Sequence, residues 1–141
     1  MNSTLKAELL VEGFAEGQVC YLDEPLSFSG GLNSGTGRVT DRWHPQFDAI
    51  LTGKVLVMPS GRGSSSGSAV LAEALRRGTG PCAIVLSERD GIVSAGAIVS
   101  NDLYDQNCPV VLVSHEDRVK LVDGKTVRVE ASMTSSAIQF L

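Results

Sequence analysis

The chain has 141 residues, 43% of them hydrophobic and 20% charged, with a formal net charge of -4. That length suits one domain, spanning residues 1–141, with a substantial buried core. The acidic balance gives no general attraction to nucleic acid, and no apolar run approaches the ~20 residues of a membrane span. The N-terminus lacks the basic-then-apolar pattern of a secretory signal, so a cytoplasmic location is expected. Cys20, Cys82 and Cys108 are far apart and form no Cys-x-x-Cys pair. This argues against a disulfide framework and against a metal site built by this chain alone.

Leu5, Ala7, Leu9 and Val11 alternate with Lys6, Glu8 and Glu12, which predicts one half-buried strand. Residues 13–17 are predicted as a glycine turn, 19–22 as a short strand, and 23–25 as a second turn. A third strand is expected at 26–29. A glycine-dense loop follows over 30–37, then a strand at 38–40. Residues 41–45 read as a polar turn carrying Trp43, the single tryptophan.

The second half changes character. Residues 54–58, 83–86 and 108–113 are short, continuously apolar runs of the kind found in buried parallel strands. Helical patterns over 68–77 and 90–101 separate them, and Gly78 stops the first helix. A helical turn at 117–122 and closing strands at 126–131 and 137–141 complete the chain. A β-rich half followed by βαβαβ predicts an α/β protein with parallel strands and crossover helices.

The segment between the first apolar run and its helix carries the chemistry. Pro59-Ser60-Gly61-Arg62-Gly63-Ser64-Ser65-Ser66-Gly67-Ser68 combines three glycines, consecutive hydroxyls and one cation. Glycine lets a ligand approach the main chain. Ser66 or Ser68 is expected to cap the helix. The free N–H groups of a helix start, with the dipole behind them, favour an anion. A phosphate-binding P-loop would need Lys after its last glycine, where Ser68 follows Gly67. Gly61, Gly63 and Gly67 also form a loose variant of the dinucleotide fingerprint, with Glu88 placed where a ribose-binding acid would sit. A dinucleotide- or phosphate-binding module is therefore a competing reading of this loop.

Gly61-Arg62-Gly63-Ser64-Ser65 resembles the Gly-x-Gly-Ser-Ser loop of the aconitase superfamily's swivelling domain. The wider pattern is similar to one branch, the swivel domain of aconitase X, which in some organisms is a separate small subunit. It includes Ser27-Phe28-Ser29-Gly30-Gly31, Thr36-Gly37-Arg38-Val39, Asp41 to His44, Gly53-Lys54-Val55-Leu56-Val57, and Ile92 to Val99. The resemblance spans roughly residues 5 to 130.

It implies a three-layer β/β/α swivel fold and a hydro-lyase activity that requires a large subunit. That partner would supply the iron–sulfur cluster, with no cofactor bound by this chain alone. Ser64 takes the base position. Arg62, Gly63, Ser65 and Ser66 are the expected substrate-binding residues, Arg62 presenting a planar fork to a carboxylate or phosphate. Ser66 stands where aconitase proper has Arg, which argues against citrate. The implied substrate is a small hydroxy acid: cis-3-hydroxy-L-proline, converted to Δ1-pyrroline-2-carboxylate, or phosphomevalonate. The long stretch over 101–107 tilts the reading toward the former. Asp41 and His44 are cleft candidates from the matching segment. His115 is expected to start a helix, and Glu88, Arg89 and Asp90 to form a solvated turn and helix cap.

Overall fold

The structure is a computed structural model and describes residues 3–63 and 65–141. It contains, in order, β1 (Thr4–Lys6), β2 (Glu8–Val11), β3 (Gly13–Tyr21), a helical turn α1 (Phe28–Gly31), β4 (Leu32–Asn33), β5 (Arg38–Val39), β6 (Val55–Val57), α2 (Ser66–Arg77), β7 (Ala83–Leu86), α3 (Gly91–Tyr104), β8 (Val110–Leu112), α4 (His115–Arg118), β9 (Thr126–Ala131) and β10 (Ser136–Phe140).

The main sheet has the order β1-β10-β9-β3-β6-β7-β8-β2, and β4 pairs with β5 separately. β1, β10, β9 and the first half of β3 pair antiparallel. The second half of β3 pairs parallel with β6, and β6, β7 and β8 continue in parallel. The strands at the two ends of this order, β1 and β2, are separated in sequence by Ala7 alone. The sheet must therefore fold back on itself, giving two stacked layers.

Alternation along the parallel strands assigns their two faces. Leu56, Met58, Ile84, Leu86 and Val110 point into a core shared with Leu71, Ala74, Val93 and Ala97 of the helices. Val55, Val57, Ala83, Val85 and Val111 point the other way, against Leu121, Val127, Val129 and Ile138. Every one of these side chains is fully buried. Strands buried on both faces explain why their sequences are continuously apolar. The result is the three-layer β/β/α arrangement expected above. α2 and α3 lie on one face and approach closely at Gly96, where a Cβ would come within 2.9 Å of the Ser68 carbonyl oxygen.

Several local expectations are corrected. Residues 5–11 form two strands, because the chain passes from one sheet edge to the other at Ala7. Residues 13–17 lie inside β3 and make no turn. Gly13 and Gly17 are there for close approach: a Cβ would meet Asn107 Oδ1 at 2.8 Å in one case and the Gly53 carbonyl oxygen at 2.9 Å in the other. The strand expected at 26–29 is a single bridge from Leu26 to Gly61 followed by α1. The last helical turn falls earlier than expected, at α4, with His115 at its start and Ser114 Oγ accepting from the Asp117 N–H. Gly78 ends α2 with φ 77°, as expected.

Candidate active site at the carboxyl edge of the parallel sheet

The glycine-serine loop leaves the carboxyl end of β6 and enters α2. Two other segments, 26–27 and 87–90, hold it. Leu26, fully buried, accepts through its carbonyl oxygen from the Arg62 N–H at 3.1 Å. Gly63 has φ +104°, and a Cβ there would come within 2.5 Å of Ser27 Oγ, so backbone conformation and crowding both require glycine. At Gly61 a Cβ would lie 2.8 Å from Asp90 Oδ2. The Ser87 and Glu88 N–H groups both donate to the Pro59 carbonyl oxygen at 3.0 Å. The loop is thus fixed from two sides before any ligand is considered.

Ser64, the expected base, lies outside the described residues. The expected binding residues around it are brought together. Arg62, Gly63, Ser65 and Ser66 are all solvent-exposed at the start of α2. Ser65 is the N-cap of that helix, and its side chain makes no capping hydrogen bond. The expected caps serve elsewhere: Ser66 Oγ donates to Ser29 Oγ at 3.0 Å, and Ser68 Oγ donates to the Ile92 carbonyl oxygen at 2.8 Å. Both lie inside the helix, too late to reach its first N–H groups, so that expectation is corrected.

Arg62 pairs with Asp41 at 3.6 Å, with side chains 54% and 23% exposed. At that separation and exposure the pair stabilises by about 1 kcal/mol or less. A ligand carboxylate or phosphate forming a bidentate contact with the guanidinium can displace it. Asp41 is itself oriented by the Trp43 N–H, which donates to its Oδ1 at 3.0 Å. Asp41 is therefore in the cleft as a neighbour of Arg62.

His44 is not a cleft residue. Its ring is buried, with Nδ1 accepting from the Gln46 N–H and Nε2 facing the Glu24 carbonyl oxygen, both at 3.0 Å. With one nitrogen accepting, the other carries the hydrogen and donates. The residue pins the 41–46 turn to the end of the 22–25 segment. Asp90 caps α3, Oδ1 accepting from the Ile92 and Val93 N–H groups at 2.9 and 3.1 Å. The turn beside it is solvated as expected, with Arg89 paired to Glu8.

Among the described residues, no group of His, Cys, Asp and Glu is arranged to hold a metal ion. Burial pushes the thiols of Cys20, Cys82 and Cys108 above the ordinary range. Cys20 and Cys108 are buried, Cys82 is half-buried, and none of the three joins a metal-holding group among the described residues, so their placement does not fit an iron–sulfur cluster.

Sequence reading did not single out Ser27 and Ser29 individually. They lie directly beneath the loop, and their signal was the motif Ser27-Phe28-Ser29-Gly30-Gly31. A cavity of about 550 Å³ lies apart from the loop, lined by Tyr21, Gln46, Ile50, Lys54, Val122 and Asp123 among others.

The parallel strands run β3-β6-β7-β8 with both helices on one face. The order never reverses, so the sheet lacks the crevice at which doubly wound folds seat a dinucleotide.

A sequence model of the aconitase X swivel domain matches residues 4–138. Cis-3-hydroxy-L-proline dehydratase of Hypocrea jecorina is 36% identical over 96% of this chain, which spans 23% of that protein's length. The phosphomevalonate dehydratase small subunit of Pyrococcus furiosus is 39% identical over 89% of this chain and 88% of its own. A chain of Thermococcus kodakaraensis aconitase X, in its holo form, superposes with a TM-score of 0.85 at 37% identity, covering 99% of this chain and 98% of that one. The chain belongs to the aconitase X swivel domain family.

Proposed function

We infer that this chain is the small subunit of an aconitase X-type hydro-lyase and supplies the base side of its active site. One observation carries the reading. A rigidly held Gly-Ser loop presents Arg62 and the start of α2 together at the carboxyl edge of a parallel sheet. Relatives of both substrate types align over this loop, one of them as a named small subunit.

In this reading Ser64 accepts the proton next to the substrate carboxylate. A serine hydroxyl is a weak acid, so its alkoxide must be stabilised. The N–H groups and dipole of the α2 start and the nearby Arg62 guanidinium provide preorganised positive potential for that. Arg62 exchanges Asp41 for a substrate anion, and Ser65 and Ser66 add polar contacts. Loss of the proton and of hydroxide yields the dehydrated product and water. The iron–sulfur cluster of such an enzyme is assigned to a larger partner, since the cysteines here do not fit one. Trp43 is 94% exposed two residues from Asp41, and a partner closing the cleft would cover it.

The substrate is a small hydroxy acid, with cis-3-hydroxy-L-proline first and phosphomevalonate second. The long 101–107 stretch does not bear on that choice through contact. It comprises the last turn of α3 and the link after it, where Asn107 hydrogen-bonds the backbone of Phe14 at the start of β3. This is the opposite edge of the sheet from the loop.

The test is reconstitution with the cognate large chain and assay of both acids. Turnover of either acid, dependent on both chains, is the expected result. Steady turnover by the purified small chain alone would overturn the two-subunit reading. Strong binding of a nucleotide to the Gly61–Gly67 loop would move the competing reading up.

A further inference from the structure

Next to the loop, on the same carboxyl edge, lies a second polar cluster that the proposed reaction does not use. Ser87 directly follows β7, and His115 and Arg118 form α4 just after β8. Ser87 Oγ lies 3.0 Å from His115 Nδ1, and Arg118 Nη1 donates to the same Oγ at 3.2 Å. Ser87 Oγ accepts from Arg118 and shares a hydrogen bond with His115 Nδ1, and the His115 side chain is exposed. Arg118 and His115 thus meet at one hydroxyl.

The state of Arg118 is the telling feature. Its guanidinium lies over the Tyr21 ring at 6.0 Å from the centroid. Its Nε is buried without a hydrogen-bond partner among the described residues. The ion pairs of the described residues do not include it, although Glu116 and Asp117 are its neighbours in sequence. Asp117 pairs instead with Lys120 at 2.9 Å. An arginine that merely solvates a surface would swing its guanidinium into water. This one is held by Ser87 and Tyr21 with its charge uncompensated and most of its five donors unspent. Ser87 continues the alternation of Val85, so the cluster sits on the second-sheet side of the rim, whereas the glycine-serine loop turns to the helix side.

We propose that Ser87, His115 and Arg118 form a second oxyanion-binding site, for a phosphate or carboxylate group, distinct from the Arg62 loop. Arg118 supplies the charge and a planar fork, the exposed His115 ring supplies a directional contact, and Ser87 holds both side chains in place. Tyr21 and Val119, neighbours of Arg118 in space and in sequence, also line the 550 Å³ cavity, which offers room for the carbon frame of an organic acid or phosphate ester. The group bound is either the far anionic end of a substrate that reaches past the loop or a separate free anion.

Titration of the isotope-labelled chain with inorganic phosphate, against sodium chloride at matched ionic strength, reads the site directly by amide shifts. Saturable shifts at Ser87, His115 and Arg118 are expected. Arg118→Gln should weaken them on the order of 10–100-fold, the loss of one charge-assisted contact. Ser87→Ala should weaken them a few-fold, and Arg118→Lys should retain part of the binding, which keeps the test valid if the glutamine variant folds poorly. In the assembled enzyme, a raised KM at unchanged kcat in Arg118→Gln identifies the ligand as part of the substrate. Unchanged kinetics with lost phosphate binding identify a separate anion. The proposal is overturned by shifts confined to residues 61–66, by unsaturable shifts spread over all cationic residues, or by shifts indifferent to Arg118→Gln. The first of those outcomes would leave the dehydratase reading intact, and the titration needs no turnover, so the two can fail independently.

Discussion

The loops that follow β6 and β7 start alike and end differently. Each leaves the carboxyl edge of a fully buried parallel strand and each enters a helix packed on the same face. After β7 the helix start is closed from within: Asp90 accepts from two of its N–H groups. After β6 the N-cap is Ser65, whose side chain makes no such bond, and Arg62 beside it is exposed. A helix start satisfied by its own carboxylate has no use for an outside anion. A helix start whose N-cap side chain makes no such bond, with Arg62 beside it, is stabilised by receiving an anion. The same supersecondary unit, repeated, therefore serves as scaffold in one copy and, in the proposed reading, as site in the other. The closed copy even supports the open one, since Asp90 packs against Gly61.

The comparison breaks most severely at Ser64. Ser64→Ala in the assembled enzyme should lower kcat by roughly 10²–10⁴-fold, with KM changed far less, because a general base acts in the transition state. Wash-out of the substrate's α-proton into solvent should stop as well. Normal turnover in this variant, measured by product formation, would remove the base assignment.

Arg62→Ala tests the open side's charge. Losing a charge-assisted anchor costs about 1.5–3 kcal/mol in kcat/KM, with Arg62→Lys retaining part. Unchanged steady-state constants in Arg62→Ala would reduce the residue to a partner of Asp41.

Asp90→Ala tests the closed side. It should lower the unfolding free energy by about 0.5–2 kcal/mol, the usual worth of an N-cap. Chemical denaturation measures this. Ser65→Ala should shift stability by a few tenths of a kcal/mol at most, since that side chain caps nothing. Equal losses in the two variants would erase the distinction between the loops.

The smallest effect concerns pH. Burial raises the thiols of Cys20, Cys82 and Cys108 in the folded chain. Their contribution to stability is complete below the ordinary thiol value of about 8.5. Above it the unfolded chain gains by ionising while the folded chain does not, so stability falls as pH rises toward the raised folded values. Denaturation midpoints across that range, compared with a triple Cys→Ala chain, isolate the slope. An identical slope in both chains would assign it to other groups.

Local sequence alone determined the parallel half of the fold. Continuously apolar runs at 55–57 and 83–86 and the amphipathic pattern of α2 read correctly because burial on both faces, and helical period, are properties of neighbouring residues. It also placed the loop, since three glycines and adjacent hydroxyls between an apolar run and a helical pattern mark a strand-to-helix connection locally. Tertiary structure decided the rest. Gly13 and Gly17 read as turn residues because a glycine's freedom is local, yet they sit mid-strand for the sake of Asn107 and Gly53, which are far away in sequence. The break at Ala7 exists only because the sheet folds back and brings its two edges together. His44 read as chemistry, but its two hydrogen bonds span 2 and 20 residues and bury it. Ser87 and Arg118, 31 residues apart, form a cluster only once β7 and β8 lie side by side. Patterns over a few residues encode elements, whereas contacts across the sheet are set by which elements pack together, and a single chain read in order does not display them.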